Sequence, residues 1–280
     1  MKELIGQAKM RDATVAGIFY PDDPSELEER VSALLEAARP AVSDAKAIVS
    51  PHAGLDYSGD LSALAWKSAS NRSISTVLVL APLHRAEESR IYLPESDYFE
   101  MPTGRVSVDR DLVEEIRDCG TIMRENDIPH LEEHGIELQL PFMIALFPEA
   151  RLVPVLMGRP SPAAVRALAP ALSLVFAKRI DSTLIVLSSD LGSASEERTA
   201  AACADRFLKD FLDGDGKSIL EGLGGGQICA CGSGISSAFF ASGLAKGLRS
   251  RLLGRHDSSA SRETGEERLV HYAAIALTNA

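Results

Sequence analysis

Short runs of apolar residues alternate along the chain with longer segments in which apolar residues recur at helical spacing. The apolar runs end in Gly, Pro or polar residues, and the segments between them are long enough to hold crossover helices. This alternation predicts an α/β protein with one central, mostly parallel sheet that is covered by helices on both faces. The predicted strands are 14–20, 45–50, 76–81, 151–157, 182–188 and 269–277.

The predicted helices follow the same pattern. The first begins at Asp23 and Pro24, which suit an N-cap and a first helical position, and it ends before Pro40. Two further helices are predicted to start at 61, after a turn at 57–60, and at 112, after Asp109. Three more are predicted to span 162–177, with an interruption at Pro170, 196–212 and 235–248. The glycine-rich segment 222–226 and the polar segment 256–267 are predicted to be irregular. We expect a single domain over residues 1–280.

Composition and charge exclude several classes of protein. The 280 residues are 45% hydrophobic and 25% charged, which is typical of a globular protein and excludes a disordered chain. The formal net charge of −11 repels nucleic acid phosphates and anionic lipids, so we expect neither as a partner. The longest apolar runs fall short of the roughly 18 residues of a membrane span.

Cysteine usage and the chain start bear on localisation. The four cysteines are too few and too scattered for a disulfide framework, and the start Met1-Lys2-Glu3 is not followed by a secretory apolar segment. We therefore expect a cytoplasmic protein.

Three predicted strands are followed by residues that can bind a metal ion. His52 follows strand 45–50, His84 follows strand 76–81, and Asp190 follows strand 182–188. Ligands of open α/β sheets bind at the carboxyl ends of parallel strands, so these three side chains are expected to meet there. Two imidazoles with one anionic group are typical of non-heme Fe(II) sites. Solvated or backbone-bonded histidines at strand ends are the alternative interpretation.

Two further segments carry candidate chemistry. His134 and Glu137 are one helical turn apart, so we expect both side chains on one helical face, where they would bind metal or transfer protons; an acidic helix start is the alternative. His130 is expected at the surface. Cys231, at the start of a predicted helix, would be a nucleophile or a metal ligand, because the helix dipole favours a thiolate.

The remaining cysteines have simpler interpretations. Cys229 and Cys231 together would otherwise be small buried hydrophobic residues in a core strand, and Cys119 and Cys203 are expected to be such residues on helix faces. The Cys-x-Cys spacing lacks the second cysteine pair of a structural zinc site. No Walker A loop, dinucleotide fingerprint or G-x-S-x-G elbow is complete, which argues against nucleotide-binding and serine-hydrolase functions.

Taken together, these motifs resemble the Memo family, also called AmmeMemoRadiSam system protein B. The most specific segments are Pro51-His52-Ala53-Gly54 and the H-x-x-E-x-Q-L-P-F run from His134 to Phe142. The other matching segments are Arg11 to Pro21, Tyr57-Ser58-Gly59, Ala81-Pro82-Leu83-His84, Ser188-Ser189-Asp190, Cys231-Gly232 and Val270-His271-Tyr272-Ala273. The order and spacing of the motifs match over nearly the whole chain.

The resemblance implies a fold and a metal site. The Memo family is similar to class III extradiol dioxygenases of the LigB type, which hold non-heme iron at the mouth of an α/β sheet. By motif position, the metal ligands would be His52, His84 and Cys231, with Asp190 as a further ligand or a hydrogen-bond acceptor beside the site. His134 and Glu137 would line the same cleft, and His134 is the candidate proton acceptor. The expected metal is Fe(II), with copper or zinc as alternatives.

The chain also departs from the family pattern. Arg85 and the segment 191–193 stand where the family often has histidines, Ser233 replaces an arginine and Gly135 replaces a serine. Two functions stay open: a redox or oxygenase-type metalloenzyme acting on a small or peptide-borne aromatic group, and a non-catalytic protein that binds a metal or a peptide in a vestigial dioxygenase pocket. The family name also implies AMMECR-type or radical SAM proteins as pathway partners.

Overall fold

The computed structural model of the chain describes residues 8–260 and 269–280. The polar chain start and residues 261–268 of the predicted irregular segment lie outside the described residues. The strands are β1 (Met10–Arg11), β2 (Ala47–Ser50), β3 (Thr76–Pro82), β4 (Ile91–Leu93), β5 (Tyr98–Met101), β6 (Gly104–Ser107), β7 (Met123–Glu125), β8 (Arg151–Met157), β9 (Thr183–Ser188), β10 (Gly192–Ala194), β11 (Leu248–Asp257) and β12 (Leu269–Asn279).

The helices separate most of these strands. They are α1 (Pro24–Ala37), α2 (Leu55–Lys67), α3 (Arg110–Arg117), α4 (Asp127–Glu132), α5 (Leu140–Leu146), α6 (Pro162–Phe176), α7 (Glu197–Leu212), α8 (Gly216–Gly224) and α9 (Ser233–Ala241), with short 3-10 helices at Glu137–Gln139 and Ser258–Ala260.

The central sheet confirms the predicted α/β class, but the sheet is mixed and not mostly parallel, because four of its eight strand pairings in the described part of the chain are antiparallel. Within the described residues it has nine strands in the order β10-β12-β2-β9-β3-β8-β4-β7, with β11 paired to the outer side of β12. The four central strands β2, β9, β3 and β8 are parallel, and every residue of β2, β3 and β9 is buried. Burial of both faces requires helices on both sides, as predicted for a parallel sheet. A separate three-stranded sheet has the order β1-β5-β6.

The helices pack in two sets. Helix α1 packs against α2 and α5, whereas α9 packs against α6 and α8, and α8 against α7. The side chain of Asp23 accepts hydrogen bonds from the first turn of α1, and Asp109 does the same for α3, as the sequence predicts. The prediction of one domain over residues 1–280 stays a prediction.

The predicted strand 14–20 is wrong. The chain turns back at Gly17, which has a left-handed φ of 74° and whose N–H donates to the carbonyl of Tyr20. The resulting loop brings the backbone N–H groups of Thr14 and Val15 to the carboxylate of Glu137. The apolar residues of segment 14–20 therefore do not belong to a β-strand that is hydrogen-bonded in a sheet.

Two helix predictions need correction. The predicted turn at 57–60 lies inside α2, which begins at Leu55 because Gly54 is its N-cap, and the helix ends at Lys67. Gly59 allows close packing, since a Cβ there would lie 2.9 Å from Cδ1 of Leu34 on α1. Helix α6 continues through Pro170 without interruption. Pro170 and Arg166 are both exposed, so water can reach the carbonyl of Arg166, which lacks its N–H partner.

Three segments near the end of the chain also differ from prediction. Residues 222–224 of the glycine-rich segment are helical and close α8, and only Gly226 has a positive φ. Helix α9 ends at Ala241 and not at 248, because Gly243 and Gly247 turn the chain with positive φ. Residues 256–257 belong to β11, whose backbone is paired with β12.

No helix in the described parts of the chain combines the length and the apolar character needed to cross a membrane.

Candidate metal centre

Three strand ends position the first site residues. Strand β9 lies between β2 and β3, and all three run in the same direction, so their carboxyl ends are adjacent. The chain leaves β2 at His52 and reaches His84 just after β3, and the two imidazole centroids are 5.1 Å apart. Asp190 follows β9 between them. The predicted convergence of these strand ends is therefore found in the fold.

Cys231 joins the two histidines from the loop before α9. Its Sγ lies 3.1 Å from Nε2 of His52 and accepts a hydrogen bond from the backbone N–H of Asp190 at 3.1 Å. The ligand atoms of His52, His84 and Cys231 all lie within 4.8 Å of one another. Tetrahedral ligands about 2.0–2.3 Å from a metal are roughly 3.5 Å apart, so this group fits a metal ion with small side-chain adjustments.

A hydrogen-bond chain from the core fixes the tautomer of His52. The indole N–H of Trp66 donates to Oε1 of Gln139, so the amide nitrogen of Gln139 faces Ser188 Oγ and donates to it. Ser188 donates its only hydrogen to the carbonyl of Gly135, and it must accept from Nδ1 of His52 at 2.8 Å. The proton of His52 is therefore on Nδ1, and the lone pair of Nε2 points to the site.

Burial keeps His52 neutral. Its side chain is 1% exposed, and burial together with the nearby His84 and His134 holds its pKa well below the usual value. A neutral imidazole with a free Nε2 lone pair is the form that binds a metal ion.

Glu133 is the site residue that sequence reasoning missed. Its buried carboxylate accepts hydrogen bonds from the backbone N–H of His84 at 2.8 Å, from Nδ1 of His84 at 3.0 Å, and from the backbone N–H groups of His134 and Gly135. Its position directly before His134 was a signal, but nothing in the sequence separates Glu133 from the exposed Glu132.

The charges of Glu133 and His84 stabilise each other. Burial disfavours the ionised carboxylate, but hydrogen bonding and the charge of His84 lower the pKa of Glu133 to about 2. Burial likewise disfavours the imidazolium, but hydrogen bonds with Cys231 and Glu133 raise the pKa of His84 to about 10. Because Nδ1 of His84 faces Glu133, its Nε2 is the nitrogen that a metal ion would bind, and the ion would have to displace the proton of the imidazolium.

His134 lies at the open side of the site. Its ring stacks between Phe19, at 4.9 Å, and His84, at 5.0 Å, and its Nδ1 lies 3.1 Å from the Glu133 carboxylate. Burial lowers the pKa of His134, with Glu133 opposing the shift, so its imidazole is neutral near pH 7. The side chain is 25% exposed and that of His84 is 36% exposed, so solvent reaches the site past these two rings.

Glu137 does not share a helical face with His134, so that expectation is wrong. His134 precedes the 3-10 helix that begins at Glu137, and the two side chains contact different partners. The carboxylate of Glu137 is fully buried and accepts hydrogen bonds from the guanidinium of Arg11 and the hydroxyl of Tyr20. Arg11 lowers the pKa of Glu137 against the effect of burial. This buried ion pair anchors the loop at 14–20 beside the site.

The expectation that His130 lies at the surface is wrong, because the residue is buried. It is 1% exposed, its ring packs edge-on against Phe99, and its carbonyl accepts a hydrogen bond from Nε of Arg11. Burial and the nearby Arg11 lower its pKa to about 3. The polar neighbours of His130 in sequence conceal a position that only the fold buries.

Asp190 lies beside His52, outside the closest ligand group among the described residues. Its Oδ1 accepts a hydrogen bond from the backbone N–H of His52 at 3.1 Å, and its Oδ2 is 3.9 Å from Nε2 of His52. Burial raises the pKa of Asp190 to about 6. The catalytic roles expected for Asp190, His134 and Glu137 stay predictions.

The cysteine expectations are partly corrected. Cys231 lies in the turn before α9 and not in a strand. Burial raises the pKa of its thiol, although a hydrogen bond with His84 opposes the shift. Cys203 is buried on α7, as expected, but Cys119 is half-buried and lies beyond the end of α3.

Comparisons with known proteins match most of the chain. A family model described as Memo-like protein matches residues 11–276. A MEMO1 family protein of Desulfurococcus amylolyticus is 30% identical, covering 95% of this chain and 98% of its own, and one of Thermotoga maritima is 31% identical, covering 80% and 85%.

A crystal structure of an uncharacterized protein from Escherichia coli K12 covers 82% of this chain and 98% of its own, with a TM-score of 0.49 and 10% identity. From the matched residues and these curated relatives, the chain belongs to the Memo family.

Proposed function

We propose that His52, His84 and Cys231 bind a redox-active transition metal ion, and that the protein is an oxidoreductase of oxygenase type. The observation that carries this proposal is the convergence of two imidazoles and one thiol within 4.8 Å at the end of the parallel sheet. The fixed tautomer of His52 supports it, because the lone pair of its Nε2 points toward Cys231 and the rest of the candidate ligand group.

The donor set guides the choice of metal. Imidazole suits iron, copper and zinc alike, whereas a thiolate favours copper and zinc more than a carboxylate would. Asp190 lies close enough to take part if a side chain moves, which would bring the site nearer to the two-histidine, one-carboxylate arrangement of Fe(II) oxygenases. We propose iron or copper as the resident metal. Either ion would supply Lewis-acid polarisation of a substrate oxygen and electron exchange with O₂.

The chain's own residues would bind the substrate and move its proton. The open side of the site is formed by the rings of Phe19, His134 and His84, which suits the face of an aromatic group. His134 is neutral near pH 7, so it would accept the proton of a substrate hydroxyl. Glu133 would hold His84 and His134 in place through its hydrogen bonds. A small or peptide-borne aromatic substrate follows from this arrangement.

A second function has one observation in its favour. Arg85 and residues 191–193 stand where the resemblance leads us to expect histidines, which reduces the number of proton-transfer groups near the metal. A protein that binds a metal or a peptide without turnover would need none of them. Pathway association with AMMECR-type or radical SAM proteins and a cytoplasmic location stay predictions from the sequence.

The decisive experiment combines metal analysis with oxygen uptake. Protein purified anaerobically is analysed for metal by elemental analysis, beside His52→Ala, Cys231→Ser and the control variants His256→Ala and Cys119→Ser. We expect about one metal ion per chain in the wild type and the controls, and loss of that metal in the two site variants. Oxygen consumption is then measured with catechols and other phenols.

The outcomes separate the two functions. Unchanged metal content in both site variants would remove His52 and Cys231 from the site and overturn the proposal. Stoichiometric metal without oxygen uptake on any aromatic substrate would favour the binding protein.

A further inference from the structure

Two of the three cysteines that the metal site does not use, Cys203 and Cys229, lie close to each other beside it. The sulfur of Cys203, on α7, interacts with both the side chain and the backbone N–H of Cys229. Among the described residues, neither sulfur belongs to a group of potential metal ligands. They come from positions 26 residues apart in the sequence (229 − 203), so only the fold brings them together.

The packing around Gly192 locates the pair independently. A Cβ at Gly192 would lie 3.3 Å from Sγ of Cys229 and 3.4 Å from the backbone atoms of Ala200 and Ala204. The sulfur of Cys229 and the turn of α7 that carries Cys203 therefore both lie against Gly192, at the start of β10. Cys203 is 6% exposed, whereas Cys229 is half-buried and accessible to a small reagent.

We propose that Cys203 and Cys229 form a reversible disulfide when the protein meets a low-molecular-weight disulfide. Cys229, the more accessible thiol, attacks one sulfur of the reagent as its thiolate, forms a mixed disulfide and releases one thiol. Cys203 then attacks the Cys229 sulfur, which forms the internal disulfide and releases the second thiol. The two protein thiols lose two protons and two electrons, and the reagent disulfide is reduced to two thiols.

The disulfide would affect the metal site because Cys229 is only two positions before Cys231 in the sequence. Cys229 and Cys231 contact the two ends of the segment 189–192: Cys231 receives the N–H of Asp190, and Cys229 packs on Gly192. The N–H of Gly232 also donates to Ser189 Oγ at 2.9 Å. Bond formation draws Cys229 toward α7 and pulls Cys231 away from these partners. The oxidised protein therefore binds metal more weakly, and this second part rests on the proposed metal site.

Peptide mapping tests the disulfide without reference to metal. The full-length protein is incubated with oxidised glutathione, digested without reduction and analysed by mass spectrometry, beside Cys203→Ser, Cys229→Ser and the control Cys119→Ser. We expect a cross-link between the Cys203 and Cys229 peptides in the wild type and in Cys119→Ser. The same link is expected in a further variant, Cys231→Ser, in which Cys229 is the sole cysteine of its peptide. The link is lost in Cys203→Ser and Cys229→Ser and is reversed by dithiothreitol.

Zn²⁺, which is not redox-active, tests the coupling. We expect oxidation to weaken Zn²⁺ binding about tenfold or more in the wild type and in Cys119→Ser, but not in Cys203→Ser. If Cys203→Ser does not fold, Cys203→Ala replaces it, because alanine buries no hydroxyl.

Each remaining result has a defined meaning. A link between Cys229 and Cys231, or stable glutathione on Cys229 without a link, would overturn the proposed disulfide. A Cys203–Cys229 link with unchanged Zn²⁺ affinity would overturn the coupling. Absence of Zn²⁺ binding by the reduced wild type would overturn the metal site and the coupling together, while the cross-link would still decide the disulfide.

Discussion

The indole N–H of Trp66 donates a hydrogen bond to Oε1 of Gln139 at 3.0 Å, and this contact in the core helps to determine which nitrogen of His52 carries the proton. An amide can be rotated by half a turn at little steric cost, so Gln139 alone would not fix its donors. Trp66 can only donate, and the carbonyl of Pro51, 2.9 Å from Nε2 of Gln139, can only accept, so these two contacts together remove that freedom. Trp66, which bonds to Gln139 and not to His52, therefore helps to set the tautomer of His52, a candidate metal ligand.

Replacement of Trp66 by phenylalanine tests this relay. Trp66→Phe removes one of the two contacts that orient the Gln139 amide, so we expect the other tautomer of His52 to appear beside the Nδ1–H form and Zn²⁺ affinity to fall by up to about tenfold. The side-chain ¹⁵N chemical shifts of His52 report the tautomer directly. Ser62→Ala is the control, because it removes another hydrogen bond, to the carbonyl of Pro51, and leaves Ser188 intact. A single unchanged tautomer in Trp66→Phe would contradict the relay.

Adjacent glutamates provide a matched test of the Glu133 contacts. Glu133→Gln removes the charge that pairs with His84 and one of the acceptor oxygens, which leaves buried donors without partners. We expect a loss of about 3 kcal/mol in the free energy of unfolding, measured by urea denaturation. Glu132→Gln changes an exposed side chain and should stay within about 0.5 kcal/mol of the wild type. Equal effects of the two substitutions would refute the assignment.

The Arg11–Glu137 pair predicts a large stability difference between buried and exposed ion pairs. Both side chains of this pair are at most 1% exposed, so Arg11→Met leaves a buried carboxylate without its cation and should cost about 3–5 kcal/mol. Arg30→Met breaks an exposed pair with Asp56 and should cost less than about 1 kcal/mol. The double variant Arg11→Met/Glu137→Gln should recover part of the loss, as urea denaturation would reveal.

His130 predicts a component of acid sensitivity. Its pKa is about 3 in the folded protein and 6.5 when exposed, so the unfolded chain binds the proton more readily. Stability is therefore complete above pH 6.5 and falls as the pH drops from 6.5 toward 3, by up to about 1.4 kcal/mol per pH unit. His130→Asn should reduce this slope in urea titrations between pH 7 and 4.5.

Phe99→Leu separates titration from packing in that experiment. It weakens the ring contact with His130 but keeps the imidazole, so stability should fall at every pH while the slope is retained. A wild-type slope in His130→Asn would mean that another group is responsible.

Local patterns in the sequence were sufficient for five strands of the central sheet (β2, β3, β8, β9 and β12) and for part of the site, but not for the strands β4, β7, β10 and β11. Strand 151–157 and the start of α1 match the structure because periodicity and capping are local properties. The convergence of His52, His84 and Asp190 was predictable because parallel strands end at one edge of the sheet, so polar residues that follow these strands lie together at that edge. The predicted strand at 14–20 failed because one left-handed glycine and a distant carboxylate determine its path.

The amino-acid order by itself determined the alternation of strands and helices, the edge of the sheet where ligands gather, and the motifs of the family. Only the tertiary structure decided that Glu133 and not Glu132 supports the histidines, that Arg11 and His130 are buried, and that Cys203 meets Cys229. Burial and partnership depend on segments that are distant along the chain, and the free energy of a charge or a thiol is set by those neighbours.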